Sequence, residues 1–150
     1  MSTTIASPTA PSAISGRTRA VGLASYLAPT GRLFYSSIFL LAGPSHFSAT
    51  AIGYAAAQGV PMASIAVPLS GIIAFVGGLS IALGYKARWG AWLLVLFLVP
   101  VTLTMHRFWG LNDPQSAMMH QAMFMKNLAL LGAALLITVV GSGPRSLEAA

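Results

Sequence analysis

The chain has 150 residues, of which 56% are hydrophobic and only 7% charged, against about 25% charged in a soluble domain. A soluble fold needs a polar exterior, and this composition cannot cover one. The formal charge is +6, yet the cations stand singly at the ends of apolar runs rather than in a patch, which excludes a phosphate-tracking, nucleic-acid-binding surface.

From Leu33 to Tyr85 there is no Asp, Glu, Lys or Arg. Uncharged stretches of this length predict membrane-spanning helices. The chain has no Cys, which excludes disulfides, Cys-ligated zinc and iron–sulfur clusters.

In chain order, residues 1–28 are rich in Ser, Thr, Ala and Pro, with Arg17 and Arg19. No apolar core of a signal peptide lies in the first 20 residues, and a disordered tail is predicted. A first span follows at about residues 30–47, with a kink predicted at Gly43-Pro44, because proline removes a backbone donor and clashes with the preceding turn. Residues 49–58 predict a short interfacial helix stopped by Gly59 before Pro61. The second span, about 64–85, carries Ala74, Gly78 and Ala82 at helical spacing, a small-residue stripe that admits a neighbouring helix. Lys86 and Arg88 mark a tight turn. The third span runs over about 89–105, with Pro100 inside it. The fourth, about 117–140, is preceded by Asn112-Asp113-Pro114, where Asp113 suits the N-cap and Pro114 the first helical position. Residues 142–150 form a second tail.

The expected fold is therefore all-α: a polytopic membrane four-helix bundle over 29–141. With four spans, Arg17, Arg19, Arg32, Lys86, Arg88 and Arg145 share one side, and only Arg107 and Lys126 the other. The excess marks both termini as cytoplasmic.

Polar residues gather in the opposite half. At about 1.5 Å per residue, Lys126 lies about 22 Å along the fourth span from Gly141, and His106 about 27 Å from Arg88. The candidate ligand-binding layer comprises His46, His106, Arg107, Trp109, Asp113, His120, Lys126 and Asn127. It reads in several ways. Arg107 and Lys126 can snorkel outward while Asp113 caps a helix and Trp109 anchors the interface. Histidine or lysine donors can instead hold a quinone head group. Neither HxxxH nor HxxE spacing is present to support a metal or haem site, and a transport pathway lacks lining residues. No nucleophile has a convincing base, no glycine loop opens on a phosphate, and there is no carboxylate pair.

Over roughly Gly31 to Leu147 the chain resembles the DoxX family of small bacterial membrane proteins. The resemblance rests on GRLFYSSIFLLAGPSHF at 31–47, GVP at 59–61, GGLSIALGYKARWGA at 77–91, HRFW at 106–109, FMKNLALLGAALL at 124–136 and the GPRSLE tail. It implies a four-helix bundle in the bacterial inner membrane. It further implies a redox association, since the family takes its name from a subunit of a thiosulfate:quinone oxidoreductase. Many relatives carry a Glu in the second span where this chain has Ala74, and a Lys near His46, so no catalytic residue carries over. The expectation is a non-catalytic membrane component of a quinone-associated system, meeting the lipid bilayer and other membrane or redox proteins. The alternative is an oxidoreductase subunit that binds quinone itself. Quinone is the candidate cofactor, and no metal is assigned.

Overall fold

The computed structural model describes residues 13–148; the parts of the two expected tails over residues 1–12 and 149–150 lie outside them. Five α-helices follow one another: α1 (Ala13–Ala42), α2 (Ala49–Ala57), α3 (Ala63–Leu83), α4 (Ala87–Met105) and α5 (Pro114–Val140). No strand occurs among the described residues. Long α1, α3, α4 and α5 form the bundle, and α2 is an addition at one end. Of these, α3, α4 and α5 are each long and apolar enough to cross a membrane. The apolar half of α1 packs beside α3. This is an all-α, polytopic membrane fold.

Two boundaries depart from expectation. Helix begins at Ala13, within the stretch read as a disordered tail, so α1 runs 30 residues through Pro29. At its other end α1 stops at Ala42 rather than running to Phe47. Gly43–Phe47 tighten into a 3₁₀ turn with Pro44 at its start. Pro44 has no N–H for the α-helical ladder, so the break is local chemistry.

Elsewhere the local signals hold. The Ser48 hydroxyl caps α2 by accepting from the Ala51 N–H at 3.2 Å. Gly84 closes α3 in the left-handed conformation at φ 63°. Asp113 caps α5, its Oδ2 accepting from the Ser116 N–H at 2.8 Å and the Ser116 hydroxyl at 2.6 Å.

The core is built from small residues and a few large ones. Phe39, Ala74, Ile81, Ala87, Ala91, Leu94, Leu98 and Ala134 are buried together. In a bilayer the lipid is as apolar as leucine, so helices associate through close packing rather than water exclusion. Here α3 presents small residues on two flanks. Gly71, Ala74 and Gly78 are buried against α1 and its 3₁₀ turn: a Cβ on Gly78 would come 3.0 Å from Phe39 Cβ, and one on Gly71 2.6 Å from His46 Cβ. Gly77 instead meets Gly90 of α4, where an added Cβ would lie 2.9 Å from the Gly90 carbonyl. The small-residue stripe of α3 is thus an internal packing surface. Tyr35 ties α1 to α5 by donating to the Leu130 carbonyl at 3.0 Å.

At the end of the bundle near Arg32, the C-terminal segment is folded back rather than free. The buried Arg32 guanidinium donates to the Ser142 carbonyl and, at 2.6 Å, to the Arg145 carbonyl. The Leu147 and Glu148 amides donate to the Leu83 and Gly84 carbonyls at 3.2 and 3.1 Å. Arg145 stacks 3.6 Å from the Tyr26 ring centre. Arg32, read from sequence as a topology cation, therefore clamps the C-terminal segment over the α3–α4 turn.

Candidate functional site

The early end of α1 leaves a concavity beside it. Because Pro44 stops the helix, nothing from α1 covers the first turns of α3 or the last turns of α4, and α2 roofs the gap. The resulting cavity of about 430 Å³ is lined by α2, α3 and α4, with His46 among its walls. Its remaining surface is nearly all apolar, interrupted by Tyr54, Ser70 and Thr104. Leu69 and Leu96, more than half exposed, stand in its lining on the lipid-facing flanks of α3 and α4.

His46 is positioned by its own turn. Its Nδ1 lies 3.0 Å from the Ala42 carbonyl, and its ring sits edge-on to Phe97 at 5.8 Å. A carbonyl only accepts, so Nδ1 donates to it, and in the tautomer that this selects Nε2 is the acceptor. Ser70 and Thr104 spend their hydroxyl protons on the Val67 and Pro100 carbonyls, both at 2.7 Å. The cavity thus offers an apolar slot with the His46 ring and Tyr54 in its lining, the arrangement of a site for a largely hydrocarbon ligand with a small polar head.

The candidate residues read from sequence divide among three places. His46 belongs to this cavity. His106 and His120 meet between the end of α4 and the start of α5, ring centres 6.0 Å apart. Asn127 is buried two turns further along α5. Burial, the Lys126 ammonium and the His120 ring together hold the His106 imidazole below its ordinary pKa. Trp109 is packed edge-on with Phe108 and Phe124, at 5.3 and 5.9 Å. Arg107, Asp113 and Lys126 are exposed. The Asp113 carboxyl is committed to Ser116, whose hydroxyl and then amide hold it below the usual carboxylate range. The polar layer expected from sequence is therefore three separate features rather than one pocket.

Sequence reasoning missed the apolar cavity walls, Phe97, Val101, Ala66 and Ile73 among them. A signal was present: a helix breaker at Gly43-Pro44 followed by a short, uncharged helix means that one span ends early and something else fills its place.

Comparison with known proteins gives the family. The family model that matches is DoxX, over residues 27–107, more than half of the chain. The chain belongs to the DoxX family. The match runs from α1 to just past the end of α4 and leaves α5 beyond it. A stretch of 77 residues is 27% identical to the ER-derived vesicles protein ERV29 of Saccharomyces cerevisiae (strain ATCC 204508 / S288c), covering 51% of this chain and 24% of that protein. The match thus spans about a quarter of that relative's length. No solved structure matches the chain. Family and apolar helices together make this DoxX protein a multi-pass membrane protein in contact with the bilayer.

Proposed function

We propose that this DoxX protein is a non-catalytic membrane component of a redox-linked system, holding a lipid-soluble quinone in the cavity roofed by α2. The observation that carries the reading is that cavity, about 430 Å³ with apolar walls, flanked by lipid-facing Leu69 and Leu96. A quinone ring fits against Phe97 while its isoprenoid chain leaves between α3 and α4. The protein sits in the bacterial inner membrane with both termini cytoplasmic, as the cation excess near Arg32, Lys86 and Arg145 favours. Its partners are other membrane or redox proteins.

Purification in a mild detergent, followed by an absorption spectrum and solvent extraction, tests this. One quinone per chain is expected, and its loss in Ala66→Phe, which fills the cavity while the helices stay folded. A quinone-free protein, or equal retention in the filled variant, defeats the reading. One feature favours a second reading, direct participation in quinone oxidoreduction: the Nε2 of His46 is a proton acceptor in the cavity wall. His46→Gln separates the two. Turnover lost with quinone still bound supports the second, whereas unchanged partner association and no turnover in either protein supports the first.

A further inference from the structure

Away from the cavity, the seam between α4 and α5 holds polar atoms that nothing in the fold satisfies. The Nδ1 atoms of His106 and His120 are both enclosed and have no hydrogen-bond partner, and so is the Thr102 hydroxyl one turn before His106. Enclosed polar groups without partners are uncommon in native proteins and call for a guest. No hydrogen bond joins the two rings, yet their centres are 6.0 Å apart. With metal–nitrogen bonds of about 2 Å, two imidazoles sharing one ion bring their ring centres about 5 Å apart at a tetrahedral ion and about 6.5 Å at a linear one. The observed separation falls between these limits, nearer the linear one.

The donor set then selects the ion. No group of three His, Cys, Asp or Glu that could hold a metal occurs among the described residues, so hard cations and structural zinc find too few ligands. The softer donors that α5 can offer are thioethers. Met123 lies one turn along α5 from His120, on the same flank. Met118, Met119 and Met125 are exposed elsewhere on the same helix. Imidazole with thioether, at low coordination number, suits a cuprous ion.

We propose that His106 and His120 form a binding site for a cuprous ion, with Met123 as a third, weaker ligand and the exposed methionines of α5 as its approach. His106 lies at the end of the segment that matches the family model, and His120 and Met123 lie beyond it.

The test is a titration of the full-length, chelator-stripped protein in detergent with cuprous ion under ascorbate, in competition with a chromogenic cuprous chelator. Silver ion serves as a redox-inert second probe. One equivalent is expected to bind and to quench Trp109, whose ring packs against Phe124 one turn from His120. His106→Gln and His120→Gln each weaken binding at least about 100-fold, the upper end of what even a residue that only orients a ligand costs. Met123→Leu costs about 10-fold. X-ray absorption of the loaded wild-type protein, which needs no variant to fold, shows nitrogen neighbours at about 2 Å with a longer sulfur. Failure to take copper from the chelator overturns the proposal and makes the seam a water site. So does undiminished binding in the double histidine variant, or an all-sulfur shell.

Discussion

Replacing Gly90 by alanine tests whether the bundle is set by close backbone approach or by helix propensity, because the two predict opposite signs. A methyl at Gly90 would lie 2.6 Å from Ser80 Oγ, 2.7 Å from Ser80 Cβ and 2.9 Å from the Gly77 carbonyl. Two of these neighbours are a backbone atom and a Cβ, which move only with the helix. The third is held in place: Ser80 Oγ donates to the Tyr85 carbonyl at 2.6 Å. So α3 and α4 must part, at a cost of about 1–3 kcal/mol for overpacking. Against this stands the gain of about 1 kcal/mol for alanine over glycine in a helix. That gain shrinks where the reference state keeps its helices, as in a detergent micelle. The net expectation is a loss of about 1–2 kcal/mol, read from reversible unfolding in mixed micelles by circular dichroism. Gly132→Ala is the matched control, since nothing lies within 4 Å of a Cβ there, and it should be neutral or slightly stabilising. If Gly90→Ala stabilises as much as Gly132→Ala, the close approach of α3 and α4 is not what holds them together.

Other expectations concern the ends of the bundle. Arg32→Met leaves the Ser142 and Arg145 carbonyls without their donor, at about 1–3 kcal/mol for buried Ser142 and less for exposed Arg145. The Leu147 and Glu148 amides should then exchange hydrogen faster, while the α3 core stays protected. Asp113→Ala should fray the first turn of α5, seen as faster exchange at Ser116 and Ala117. Because the Asp113 carboxyl is held below its ordinary value, its capping contribution is complete above the unfolded-state pKa. It is lost as pH falls through the lowered value, so wild type and Asp113→Ala should converge in acid; a difference that grows on acidification contradicts the capping role. The chain has no cysteine, so single cysteines at Asn112 and Pro144, both exposed, report sidedness cleanly. Labelling of Asn112→Cys alone by an impermeant reagent on intact cells is expected, and labelling of Pro144→Cys alone reverses the orientation.

The amino-acid sequence by itself determined the class of fold, because a chain with so few charges has only one solvent in which it can fold. It also determined what depends on neighbours along the chain: the Asp113–Pro114 start of α5, the Gly59 stop after α2, the glycine turn at Gly84, and the break at Pro44. These are short-range effects of capping, missing donors and left-handed backbone. Tertiary structure decided everything that depends on which helix faces which. It divided the candidate polar residues among a cavity, a histidine pair and a solvated rim, since helical depth places residues at one level without placing them on one face. It turned the small-residue stripe of α3 inward on two sides. It made Arg32 a clamp, because the C-terminal segment returns to the Arg32 end of the bundle and only there do the Ser142 and Arg145 carbonyls meet a buried guanidinium. The cavity is the clearest case: its cause, one proline, is local, but its shape is the space that α1 vacates between three other helices.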